Sequence, residues 1–412
     1  MKYKKKRGRK LKQRITWIDQ LRGIAMFSVV IGHVALPKET ISLIYSFHMP
    51  LFFIISGMTL NDTKALQTPL KATVTDKAKK LIIPYFWMSF TVFPIWFVTF
   101  KLISETKTTL FQCFKGIFYG NNVDYYSGTS NALWFLLVLF FANVLYSILV
   151  RLAKDNEGIL ALGVVMCGIV GYLDRGIAQI WHFNVTFTAV VFMYIGRCLM
   201  KLYKENRDWF ESKKEKGKYL LIVLLIITGL FSHNQNGRIS MTANKFGDSV
   251  LLYYITAVAF SLAIILTVIL LPKIKLFEYV GKNTLLYVGV HIPIIRFFEN
   301  AFPQFKSDVR LSVLLAIGVY LVMALICAIF NRFFPYVCAK GSDRENKVIE
   351  IGKYLTAFTC LIIPVYAVYE KLSLTFSVPV TVLLVAAVTA VSAIIFTVAA
   401  EKFVPFIYFQ KK

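Results

Sequence analysis

Residues 15–60 read ITWIDQLRGIAMFSVVIGHVALPKETISLIYSFHMPLFFIISGMTL, two apolar runs joined at Pro37. Each run is about 20 residues long, the length at which a helix crosses a hydrocarbon core about 30 Å thick. Both runs carry groups that such a core penalises: Asp19, Arg22 and His33 in the first, His48 in the second. Ionisable side chains inside a span are costly and mark functional candidates by default. The stretch therefore predicts a helical hairpin in a membrane, with a polar site built into it.

The apolar pattern continues outward from this hairpin. Twelve candidate spans lie near 15–36, 41–60, 81–100, 132–150, 158–173, 183–200, 219–232, 250–271, 284–298, 311–334, 354–370 and 378–400. They predict an all-α fold, a polytopic membrane helix bundle with about ten core transmembrane helices and two C-terminal ones. The composition agrees. Of 412 residues 57% are hydrophobic and 17% charged, and the mean hydropathy is +0.62. Those values exclude a disordered chain, a disulfide scaffold and an ordinary cytosolic domain.

The net charge of +25 suggests nucleic acid until its distribution is read. Residues 1–14 hold nine Lys/Arg and no acid, just before an apolar run. If the N-terminus is inside, 35 of the 47 Lys/Arg fall on the inner side and 11 on the outer, with Arg22 in the first span. This is the positive-inside pattern of a plasma-membrane protein with both termini cytoplasmic. Residues 1–14 read as a basic cytoplasmic tail beside an anionic leaflet, and no nucleic-acid partner is expected. The first run is a poor cleaved signal, since Asp19, Arg22 and His33 interrupt it and no small-residue cleavage site follows. Cys113, Cys167, Cys198, Cys327, Cys338 and Cys360 form no CxxC and read as free thiols. There is no P-loop, GxSxG or HExxH, and no internal repeat.

Within the spans, Arg22 and His33 are eleven residues apart, which on a continuous helix is three turns plus 20°. They would share one face about 16.5 Å apart, Arg22 toward the cytoplasm and His33 toward the outer side. Asp19, one turn earlier, is placed to pair with Arg22, which could equally snorkel to the inner interface. The turn at Pro37 brings His48 to a depth similar to that of His33. A histidine near its ordinary pKa can take a proton from a hydroxyl. Two histidines without a carboxylate make a poor zinc site, so no metal is expected. Lys77, Lys79 and Lys80 precede Pro84 at the inner start of the third span, where they either grip phosphates or simply anchor the helix. Trp134 opens the fourth span at the outer face. His291 lies about ten residues above the inner end of its span, beside Pro293, which should break the helix locally and suit a polar cavity. The outer loop 101–131 ends in turn formers, aromatics and amides, including Asn121, a mixture that suits sugar binding as well as an ordinary loop.

These residues together resemble the membrane-bound acyltransferase-3 family, in its fucose 4-O-acetylase-like branch. The stretches that carry the likeness are Asp19-Gln-Leu-Arg22-Gly with His33, Phe47-His48-Met-Pro-Leu-Phe-Phe-Ile-Ile-Ser-Gly57, Lys79-Lys80-Leu-Ile-Ile-Pro84-Tyr, and Gly281-Lys-Asn-Thr with His291-Ile-Pro293. Ala132-Leu-Trp134-Phe-Leu adds a weaker one. The likeness covers 15–335, an acyltransferase-3-like transmembrane domain. Residues 336–412 remain as a cytoplasmic linker and two extra transmembrane helices.

The resemblance implies transfer of an acyl group, usually acetyl, from cytoplasmic acyl-CoA to a hydroxyl of an envelope glycan or lipid-linked sugar. It implies that acetyl-CoA or another acyl-CoA is the donor substrate, with no permanently bound cofactor. His33 matches the family's essential His, and Arg22 the Arg that accompanies it. His48 would assist catalysis. Arg22, Lys77 and Lys80 would hold the donor, and Trp134, His291 and Asn121 the acceptor. Where the family's basic motif often has Arg, this chain has lysines, which bind phosphate as point charges rather than as a planar fork. Some members of the family carry an outer SGNH-type esterase domain; none is read here, so this chain would have to acylate its acceptor itself. The alternative is a polysaccharide or small-molecule exporter, for which twelve spans with both termini inside are a common layout.

Overall fold

The structure is a computed structural model that describes residues 15–96, 110–120, 132–177, 179–338, 340, 347–371 and 378–408. Its main helices are α1 (Thr16–Ile31), α2 (Lys38–Tyr45), α3 (His48–Met58), α4 (Leu70–Trp96), α5 (Trp134–Ala153), α6 (Glu157–Leu173) and α7 (Val185–Glu205). They continue with α8 (Lys216–Asn236), α9 (Val250–Leu270), α10 (Lys275–Gly281), α11 (Thr284–Ala301), α12 (Val309–Phe333), α13 (Lys347–Lys371) and α14 (Val378–Phe403). No strand is present among the described residues. Each of the twelve expected spans coincides with a helix or helix pair, so the chain is a polytopic helical membrane bundle.

Eight of these are long and apolar enough to cross a membrane: Lys38–Met58, Trp134–Ala153, Ile180–Glu205, Lys216–Asn236, Val250–Leu270, Val309–Phe333, Ile349–Tyr366 and Pro379–Phe403. The other expected spans, α1, α4, α6 and α11, are shorter or carry charges. Large apolar side chains face outward around the bundle, among them Leu383 (71% exposed), Leu325 (69%) and Phe231 (67%). In water that belt would be unfavourable; in lipid tails it is matched.

Local chemistry sets the helix ends. Asn156, Ser249 and Asp308 cap α6, α9 and α12 by accepting from backbone N–H groups of the first turn. Two ends depart from the sequence expectation. The first helix stops at Ile31, where Gly32 caps it, so His33 sits in the turn just beyond. The run 41–60 is broken at Ser46–Phe47 into α2 and α3. Pro50 has no N–H to offer the carbonyl of Ser46, so the ladder cannot run through, and a proline in the first turn of α3 is well tolerated.

Two joints hold the helices around the site at backbone distance. A Cβ on Gly57 would lie 1.9 Å from the carbonyl oxygen of Met193, and one on Gly196 would lie 1.9 Å from that of Ile54, so α3 and α7 meet reciprocally through glycine. A Cβ on Gly281 would lie 1.7 Å from the Asp19 carbonyl oxygen, which locks α10 onto α1. The side chain of Gln20 reinforces this second joint, donating to Pro272 O at 3.1 Å and accepting from Ile274 N at 2.9 Å.

Candidate active site

Two cavities lie along the same pair of helices, α3 and α5, toward opposite ends of α3 and with no lining residue in common. The first, of about 320 Å³, is lined by His33 from the turn after α1, Tyr45 and His48 from the α2–α3 break, and Phe52 from α3. Trp134 and Phe135 of α5, Ser240–Ala243 from the loop between α8 and α9, and Val288 and Arg296 of α11 also line it, with Val29, Met49 and Ala132 between them. The second, of about 440 Å³, continues down the same two helices, with Ser56 of α3, Thr59 just past its end, and Asn143, Tyr146 and Ser147 of α5. Phe52 and Ser56 are one helical turn apart, about 6 Å along the axis. Lys64, Lys77 and Lys80 stand around this second cavity with Asp62 and Asp76.

The histidines are held by backbone. His33 Nδ1 lies 2.8 Å from Val29 O, His48 Nδ1 2.8 Å from Ile44 O, and His291 Nδ1 2.5 Å from Tyr287 O, each the carbonyl four residues back. A carbonyl only accepts, so each Nδ1 carries the proton and each Nε2 is left as the basic nitrogen. The Tyr45 ring stands between the first two, 6.2 Å from the His33 ring and 5.0 Å from that of His48. The structure places His291 behind His33, not on the cavity wall. It is fully buried, its ring meets that of His33 edge-on at 5.0 Å, and its Nε2 finds no partner among the described residues.

The acceptor-side expectations divide. Trp134 lines the histidine cavity, whereas Asn121 lies outside the described residues. The sequence reading missed His182, which donates from Nδ1 to Thr242 O at 3.1 Å and packs its ring on Trp134 at 5.6 Å. His182 and Trp181 both adopt left-handed backbone, φ 51° and 59°, a costly conformation for such side chains. It also missed Tyr45, whose ring the α2–α3 break sets beside that of His48, and Arg296. The signal for Arg296 was a cation in the half of the molecule where the charge rule keeps cations sparse.

At the basic end, Lys77 and Lys80 line one cavity, while Lys79 turns away over the Phe406 ring at 5.5 Å. Burial and the neighbouring Lys80 push the Lys77 ammonium below its ordinary pKa. Lys80 is paired with Asp76 at 2.9 Å. Arg22 lines neither cavity; it pairs with Asp19 at 3.2 Å, with Asp19 almost fully buried. No group of three His, Cys, Asp or Glu among the described residues is placed to hold a metal ion.

A family profile described as an acyltransferase domain, that of the acyltransferase-3 family, matches residues 15–332. Over 188 residues the sequence is 25% identical to a protein named nodulation protein NolL from Sinorhizobium fredii (strain NBRC 101917 / NGR234), covering 43% of this chain and 47% of that protein. The chain thus spans about half the length of the curated relative it matches. No solved structure matches.

Proposed function

This chain belongs to the acyltransferase-3 family, and we propose that it is a membrane O-acyltransferase that moves an acyl group, acetyl foremost, from acyl-CoA to a sugar hydroxyl of a cell-envelope or exopolysaccharide glycan. The observation that carries this reading is the sharing of α3 and α5 by two cavities of opposite character. The donor's phosphates are charged and would stay with Lys64, Lys77 and Lys80. Its thioester, on a flexible arm, would pass up the shared helix faces to the histidines. The aromatic faces of Trp134 and Phe52 and the hydroxyls of Ser240 and Thr242 suit a sugar.

In the transfer step, His33 Nε2 takes the proton of the acceptor hydroxyl as its oxygen attacks the thioester carbonyl carbon. The C–S bond then breaks, and the leaving thiolate takes the proton back from the imidazolium, giving ester and free CoA thiol. The Val29 carbonyl fixes the tautomer that this step requires. His291, packed edge-on against His33, acts as a positioning residue, and His48 stands across Tyr45 to meet the acceptor.

Mass spectrometry of envelope glycans from a deletion strain tests the proposal. An O-acyl group should disappear, return with the wild-type chain, and fail to return with His33→Gln. An identical glycan in the deletion strain would overturn it.

A further inference from the structure

We propose that Arg296 receives an anionic group of the acceptor, so that the sugar acylated here bears a carboxylate or phosphate close to its reacting hydroxyl. This rests on the acyltransferase reading for the word acceptor, but the anion site is argued from geometry alone. Arg296 is the one cation among the side chains lining the histidine cavity, and no carboxylate lines that cavity among the described residues. Its side chain is 40% exposed, and its guanidinium is anchored from behind through Nη1, which donates to Glu299 Oε2 at 2.5 Å. Glu299 is fully buried, so it fixes the fork without reaching the cavity itself. The remaining donors of that planar fork match the two oxygens of a carboxylate or phosphate.

Position separates this role from donor binding. α11 leaves the basic end at Thr284, passes His33 at His291, and reaches Arg296 five residues later, about 7.5 Å further along the helix. The cation therefore stands on the far side of the histidines from the lysine cavity, where an acceptor and not the CoA phosphates would meet it. The loop that supplies Ser240–Ala243 adds the exposed cations Arg238 and Lys245 at this end. Its single acid, Asp248, turns back beside Gly237. A cation-lined approach in the half of the molecule poorest in Lys/Arg is not required for topology.

Equilibrium dialysis of the purified full chain in nanodiscs, using radiolabelled glucuronate, glucose 1-phosphate and glucose as probes, tests the assignment. The anions should bind about tenfold or more tightly than glucose, Arg296→Gln should erase the difference, and Arg296→Lys should restore part of it. Stronger binding of glucuronate points to an acidic sugar, and stronger binding of glucose 1-phosphate to a phosphate linking the sugar to its carrier. Glucose binding as well as the anions, neither anion binding, or unchanged anion binding in Arg296→Gln would each overturn the proposal. The acyl-CoA-dependent transfer assay on His33→Gln is run in parallel. If that variant still acylates while Arg296 governs anion binding, the anion site stands and the transfer reading falls.

Discussion

The two ends of the bundle hold their polar groups by different means. At the histidine end, the imidazoles of His33, His48 and His291 are each tied to the backbone carbonyl four residues back and packed by rings, so their orientation follows the backbone. At the basic end, charges are held by other side chains: Lys80 by Asp76, and Arg197 by Asp62 at 2.6 Å and Glu157 at 2.7 Å. Backbone tethers keep a base aimed at one point. Ion pairs in partly solvated surroundings exchange partners readily and can yield to a phosphate. For the proposed reaction, the difference would divide the labour, with proton transfer at the rigid end and charge capture at the yielding one.

The sharpest break of this comparison is His33→Gln. It keeps a hydrogen-bonding side chain but loses the base, so turnover should fall by about 10²–10⁴-fold while acyl-CoA affinity is retained. Rate measurements paired with CoA-binding measurements check this, and a loss confined to affinity would merge the two ends into one. Next in size is Gly57→Ala. Its methyl group would drive into the Met193 carbonyl, and thermal unfolding in detergent should show a loss of about 1–3 kcal/mol. Unchanged stability would mean that α3 is free to shift, and the rigid end would not be rigid.

A smaller effect is expected at the yielding end. Lys77→Ala combined with Lys80→Ala should weaken acyl-CoA binding several-fold, less so at high salt, because surface charges are screened within about 8–10 Å. Arg22→Ala should weaken it less, since Arg22 lies outside the lysine cavity and is engaged with Asp19. A larger effect at Arg22 would move the donor site toward α10. The smallest effect concerns Glu278, which Lys282 and Lys273 hold down to a pKa of about 2. A depressed carboxylate stabilises the fold above its ordinary value of 4.5, and that stability is lost as pH falls toward 2. Glu278→Gln should flatten stability against pH within that window, as followed by circular dichroism.

Much of this was legible in the sequence because membrane physics writes in long runs. Twelve apolar stretches gave twelve helical places, and His33 and His48 stood out against them. What stayed hidden depended on contacts across the chain. His291 meets His33 from 258 positions away, and no spacing rule reaches that far. The helix end at Gly32 and the break before Pro50 were local, yet apolar periodicity runs through both without a mark. Notably, α1, α4 and α11, which supply Arg22, the lysines and His291, are among the helices that fall short of a clean span. Function shows there as a deficit of hydrophobicity.

The reciprocal glycines of α3 and α7 also fix where this molecule can vary. In a library of all single substitutions, the lipid-facing positions near Leu325 or Leu383 would accept almost any apolar residue. Gly57 and Gly196 would accept none without parting two helices. Since α3 lines both cavities, the spacing between the lysine cavity and the histidine cavity is effectively frozen at the level of the genetic code. Adaptation to a new acceptor would have to be written elsewhere, in the 237–249 loop and at the Arg296 end of α11, where side chains rather than backbone line the cavity.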